Sequence, residues 1–324
     1  MSAEKSSIEG VGPLSTTASL VVILGTGGTI AGTAANAADN VGYQAAQLGV
    51  DHLVQAVPAL ASHRLEMQQV AQLDSKDMDI ATWQRLAQAV AAHLARPEVA
   101  GIVITHGTDT LEETAYFLQR VLAPSKPVVL TCAMRPATAL QADGPQNLLD
   151  AVVLAQDARA SGVLVMAAGR VHAAEQVQKA HSYRIDAFRS RDDAICGVME
   201  EGVLREWGAW PRGVAVGLDR IAKPADQWPQ VQIVLNHVGA DGLLVEALVG
   251  LGCAGLVVAG TGNGTLSERL TQALLQAQAQ GVRVLRCSRC DAGPVIGGDD
   301  SGLPSAGTLS AVKARVELML QLLA

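Results

Sequence analysis

Apolar residues in this chain fall into two kinds of run that alternate along its length. Short runs rich in Val and Ile, at residues 19–23, 101–105, 126–131, 162–166, 232–235, 255–259 and 282–286, are bounded by Gly, Pro or polar residues and read as buried strands. Between them lie longer segments with helical spacing, at 47–60, 81–95, 110–118, 144–158, 243–251, 267–280 and 310–323. Thr110 and Glu113 have capping-box spacing, and Gly144-Pro145 places proline in a first turn. Strand–helix alternation with short connections predicts a parallel sheet covered on both faces. Residues 206–230 break the pattern, with Trp207, Trp210 and Trp228 interspersed with Pro211, Pro224 and Pro229. The chain therefore reads as α/β. A flexible segment (1–18) precedes a larger N-terminal domain (19–205) with a mainly parallel sheet flanked by helices. A linker (206–230) then leads to a smaller C-terminal α/β domain of the same layered type (231–324).

Composition sharpens this only in places. Of 324 residues 49% are hydrophobic but 3% aromatic, so the core must be packed with Ala, Val, Leu and Ile. A formal charge of −7 without a local Lys/Arg cluster argues against a nucleic-acid partner. No apolar run approaches the roughly 20 residues of a membrane helix. Residues 1–18 lack an apolar signal core, which leads to the expectation of a cytoplasmic protein. The five cysteines are an odd number in a large chain and fit reduced thiols. Cys287-Ser288-Arg289-Cys290 has no second pair to complete a zinc site, so neither metal nor cofactor is expected.

The candidate chemistry sits where two strands run out into glycine. The first enters Leu24-Gly25-Thr26-Gly27-Gly28-Thr29-Ile30-Ala31-Gly32. A dinucleotide fingerprint spaced from Gly25 would require glycine at Ile30, and no Gly-Lys-Ser/Thr phosphate loop follows. What remains is a turn presenting Thr29 at a strand's carboxyl end, where open α/β sheets place their chemistry. The second enters Thr105-His106-Gly107-Thr108-Asp109-Thr110. A threonine in such a turn is ordinarily a local hydrogen-bonder or helix cap, and two such turns in one chain weaken that reading. The small, polar stretch from Gly32 to Gly42 reads as a loop able to cover a site.

Together, Thr26–Gly32 and Thr105–Thr110 resemble the two signatures of the bacterial L-asparaginase (asparaginase-glutaminase) family. Ala133-Met134-Arg135-Pro136, Ala142-Asp143-Gly144-Pro145, Gly260-Thr261-Gly262-Asn263-Gly264 and Ser305-Ala306-Gly307-Thr308-Leu309 follow in the family's order. The resemblance implies a side-chain amidohydrolase that releases aspartate and ammonia from L-asparagine through a threonyl acyl-enzyme. In that scheme Thr29 is acylated and Tyr43 assists it, while Thr108, Asp109 and Lys179 support attack and the hydrolytic step. Ser75 and Lys76 fall in the substrate-binding segment, with Thr108 and Asp109 also binding substrate. Asn263 is implied to reach a site across a subunit boundary, because family members are homotetramers. His106 reads as a structural residue at a strand end.

Two departures stand out. The family has Gln or Glu where this chain has Lys76, facing the substrate's α-amino group. Two cations about 4 Å apart repel by about 4 kcal/mol at an effective dielectric near 20. Weak asparagine binding, or a preference for an amide with a neutral amino group, is therefore expected. The family's intersubunit glutamate is also missing from Val295–Asp300, where Asp299 or Asp300 is the substitute. The alternatives are a glutaminase, a hydrolase of another small amide, and, in a different class, a non-catalytic amide or amino-acid binding protein.

Overall fold

In chain order, β1 (Leu20–Gly27), α1 (Val50–Gln55), β2 (Leu65–Leu73), α2 (Ile80–Leu94), β3 (Val99–Thr105), α3 (Leu111–Leu122), β4 (Pro127–Thr131), α4 (Gly144–Gln156) and β5 (Gly162–Ala167) form the first half of the molecule. The computed structural model describes residues 19–297 and 302–324, so the 1–18 segment, Asp299 and Asp300 lie outside the described residues. β1, β4 and β5 are buried at every position, as expected of central strands covered on both faces. β1 pairs in parallel with both β2 and β3, and β3, β4 and β5 continue in parallel. The order of these five strands is therefore β2-β1-β3-β4-β5, which reverses direction between β1 and β3.

Five short strands follow: β6 (Arg170–Ala173), β7 (Val177–Lys179), β8 (Phe188–Ser190), β9 (Gly197–Glu200) and β10 (Val203–Glu206). β6, β9 and β10 extend the large sheet antiparallel to eight strands, and β7 and β8 pair as a separate two-stranded ribbon. Next come β11 (Val231–Leu235), α5 (Leu243–Gly250), β12 (Gly255–Gly260), α6 (Glu268–Ala279), β13 (Arg283–Ser288) and α7 (Ala311–Leu322). β11, β12 and β13 make a parallel sheet in sequential order. The molecule is thus α/β with a large, mainly parallel sheet and a smaller parallel one.

Several elements differ from the sequence pattern for identifiable reasons. The helix expected at 47–60 is only α1 followed by a 3₁₀ turn at Pro58–Ser62. Pro58 forces Val57 out of helical geometry, at φ −117° and ψ 89°. Thr110 stands at the N-cap of α3 but its hydroxyl does not cap the helix; it donates to the Ser75 carbonyl at 2.7 Å. β2 and the antiparallel strands went unannounced because β2 is polar and half-exposed, and strands of three or four residues are too short to show a period.

The apolar core does not stop at residues 206–230. Trp228 from this stretch is buried against Phe117, 6.4 Å between ring centroids, and Phe117 stacks on Trp83 at 4.7 Å. α7 packs on the small sheet and also on α3. The Arg120 guanidinium on α3 meets the Glu317 carboxylate on α7 at 2.7 Å, and the Tyr116 hydroxyl donates to the same carboxylate at 3.1 Å.

Candidate active site at the strand-order reversal

Adjacent strands whose connections leave in opposite directions open a crevice at their carboxyl ends. Here β1 delivers Gly27-Gly28-Thr29 and β3 delivers His106-Gly107-Thr108 to that crevice. The two turns touch through backbone. A Cβ at Gly28, whose φ is +81°, would lie 2.3 Å from the Gly107 N and Cα, and a Cβ at Gly107 would lie 2.4 Å from Ser75 Oγ. Only glycine lets the turns close to this distance. The Thr26 hydroxyl donates to the Thr105 carbonyl at 2.8 Å and ties the two strands just before they diverge. Ser75 is 1% exposed and anchors the second turn: its Oγ accepts the Asp109 N–H at 3.1 Å.

Thr29 and Thr108 line one cavity of about 230 Å³. Tyr43, Asp109 and Lys179 share its wall with Asn40, Val41, Met134, Ser182 and Tyr183. The Thr29 and Tyr43 hydroxyls are 2.7 Å apart. Opposite them, the Lys179 ammonium donates to Thr108 Oγ1 at 2.8 Å and to the Asp109 carboxylate at 2.6 Å. Lys179 arrives from the β7 end of the small ribbon, and its own backbone N–H donates to Glu112 Oε1 at 3.3 Å. Burial raises the Glu112 carboxyl above its ordinary range, and the nearby Lys313 cation opposes that shift. The arrangement can present one hydroxyl bonded to a phenol and a second bonded to an ammonium to the same small guest.

The other candidates stand elsewhere. The Lys76 side chain is 61% exposed, is not part of the cavity wall, and is held by Asp74 at 3.1 Å and Asp77 at 2.8 Å. Asn263 is in the small sheet's turn, exchanging two 2.7 Å hydrogen bonds with the backbone of Ile296. His106 is fully buried beside the site, bonded through Nδ1 to the Gly107 carbonyl, and burial pushes its pKa down to about 4. Met134, Ser182 and Tyr183 are wall residues that the sequence did not single out for the site. Tyr183 is fixed by Arg135, whose guanidinium lies 4.1 Å from the ring centroid and donates to the Tyr183 carbonyl at 2.8 Å.

A doubly covered parallel sheet with a polar cavity at its order reversal is the architecture of an α/β enzyme. Residues 20–208 match the family described as "Asparaginase, N-terminal", and residues 230–324 match the "Glutaminase/Asparaginase C-terminal domain". The chain belongs to the asparaginase family. It is 36% identical over 306 residues to L-asparaginase 2 of Bacillus subtilis, covering 93% of this chain and 81% of that one. It is 38% identical over 276 residues to the glutaminase-asparaginase of Pseudomonas fluorescens biotype A, covering 84% and 76%. Among solved structures, the probable cytoplasmic L-asparaginase from Campylobacter jejuni superposes with a TM-score of 0.88 at 37% identity, covering 94% of this chain and 95% of that one. Among the described residues no helix is long and apolar enough to cross a membrane.

Proposed function

We propose that this chain hydrolyses the side-chain amide of L-asparagine to aspartate and ammonia through an acyl-enzyme on Thr29. The carrying observation is the single cavity faced by the Thr29–Tyr43 hydroxyl pair and by the Thr108–Lys179 pair. A free threonine hydroxyl is a weak nucleophile and needs an acceptor for its proton. Tyr43 stands at hydrogen-bond distance for that role. Thr29 Oγ1 attacks the amide carbon, its proton passes to the Tyr43 oxygen as Tyr43 gives its own hydroxyl proton to the amide nitrogen, and the C–N bond breaks with the nitrogen leaving as ammonia. Water held by Thr108, itself bonded to Lys179, then attacks the ester and releases aspartate, returning the proton to Thr29.

Glutamine is the second substrate in this reading, supported by the likeness to a glutaminase-asparaginase. One methylene changes discrimination by only about 1–3 kcal/mol, so a cavity of this size can serve both amides unequally. The active form is a cytoplasmic homotetramer in which Asn263 of one copy completes the site of another; its exposed position in the single chain fits that role. Ammonia release from asparagine, glutamine and N-blocked asparagine tests the reading, with hydroxylamine added to intercept the ester. Asparagine turnover with hydroxamate formation is the expected result. Turnover that yields no hydroxamate at saturating hydroxylamine overturns the acyl-enzyme.

A further inference from the structure

Lys179 is the one cation among the described residues that line the cavity, yet it does not sit in the large sheet. It ends β7, a three-residue strand paired only with β8, and a two-stranded ribbon is at best marginally stable by itself. The hydrogen-bond register that fixes Thr29 relative to Thr108 therefore does not fix Lys179. Something else must hold the ribbon against the β3 turn.

The fastener comes from the far end of the chain. Lys313 on α7 is 1% exposed, among the largest fully buried side chains of the molecule. Its ammonium donates to the carbonyl of Glu175 at 3.0 Å and to the carbonyl of Val177, the residue that opens β7. A buried ammonium is costly unless hydrogen-bonded, so this contact is strongly directional. From the other side, Glu112 in the first turn of α3 accepts the Lys179 backbone N–H. We propose that Lys313 is a positioning residue for Lys179: it clamps the start of β7 while Glu112 holds its end, and so fixes the distance between the Lys179 ammonium and Thr108. Lys313 thereby couples the small sheet's last helix to the chemistry at the edge of the large one. Burial lowers Lys313 to about 8, with Glu112 and Glu175 favouring its charge and Arg191 opposing it.

This inference rests on the role given to Lys179 above, and a mutant cycle on the full chain separates the two. Lys313→Met is expected to lower kcat for asparagine by ~10–100-fold, the scale of a roughly 1 Å misplacement, with KM within about threefold. Combined with Lys179→Met it should cost nothing further, because the residue it positions is gone. Unchanged kcat in Lys313→Met, or a loss that multiplies with that of Lys179→Met, overturns the proposal. Full kcat in Lys179→Met overturns instead the role of Lys179 in the proposed function. Should Lys179→Met have no measurable turnover, Lys313→Met must keep wild-type circular dichroism and aspartate affinity while kcat falls; a parallel loss of folded fraction and rate marks a merely structural lysine. If Lys313→Met does not fold, Glu112→Ala takes its place in the cycle, with an expected kcat loss of about 3–10-fold at unchanged KM; no loss, or a multiplicative one, again overturns the clamp.

Discussion

The two parallel sheets end their strands in similar glycine-rich turns carrying threonine, and they use them in opposite ways. At the edge of the large sheet, Thr29 and Thr108 face a common cavity and take their partners, Tyr43 and Lys179, from distant segments. At the edge of the small sheet, Thr261 and Thr265 turn on each other, with hydroxyls 2.9 Å apart and reciprocal backbone hydrogen bonds at 2.9 and 2.8 Å. Asn263 closes on Ile296, and Ser288 donates to the Gly262 carbonyl at 2.6 Å. The difference follows from strand order. The large sheet reverses between β1 and β3, so the connections diverge and leave a crevice; the small sheet runs β11-β12-β13 without reversal, and its turns satisfy themselves.

The largest expected contrast is chemical. Thr29→Ala should lower kcat for asparagine by at least ~10⁴-fold with the fold retained, while Thr261→Ala should leave kcat within about threefold. An equal loss in both would break the distinction between the edges. Next comes close approach. Gly28→Ala places a methyl against Gly107 and should cost ~10²-fold or more in kcat together with a lower Tm. Gly262→Ala meets nothing within 4 Å at a φ of +48° and should cost about 1 kcal/mol of stability in urea unfolding, with a far smaller loss of rate than Gly28→Ala, because it disturbs only the turn that carries Asn263. Thr108→Val keeps volume but removes the hydroxyl bonded to Lys179, and should lower kcat by ~10²–10³-fold.

The third level is electrostatic. His106 sits neutral behind the first edge, its pKa pushed by burial from 6.5 to about 4. The unfolded chain therefore binds more protons below pH 6.5, and this group's stabilisation falls as pH drops through that value and levels off near 4. The full swing is about 3 kcal/mol, so urea unfolding of His106→Asn should show a correspondingly flatter acid limb. The smallest effect belongs to Lys76. Its charge is already held by Asp74 and Asp77, so Lys76→Gln should change KM for asparagine by less than about twofold. A larger drop would mean that the ammonium faces the bound substrate.

The reach of the sequence was set by the length of the local signal. β1 and β3 each carry a run of Val, Ile or Leu that leads into a glycine-containing turn, so both threonine turns were visible from spacing alone. Tyr43 and Lys179 carry no such mark: one lies in an aperiodic loop, the other in a three-residue strand, and only resemblance to a family pointed to them. Ser182 and Tyr183 reach the cavity because the chain beyond β7 bends over it, which no period encodes. Thr110 shows how a local rule loses to tertiary demand: its capping-box spacing predicted the helix start, but its hydroxyl went to the Ser75 carbonyl instead. Lys313 was concealed by averaging. A helix with regular apolar spacing absorbs one lysine as if it faced solvent, although this one is buried.

The Tyr116–Glu317 contact, which spans 201 positions of the chain, bears on how the molecule is assembled. Closing so long a loop carries an entropic penalty before any contact rewards it, and topologies rich in such contacts fold slowly. Refolding should therefore recover backbone dichroism first, with burial of Trp228 and catalytic competence arriving together in a later phase, once α7 docks.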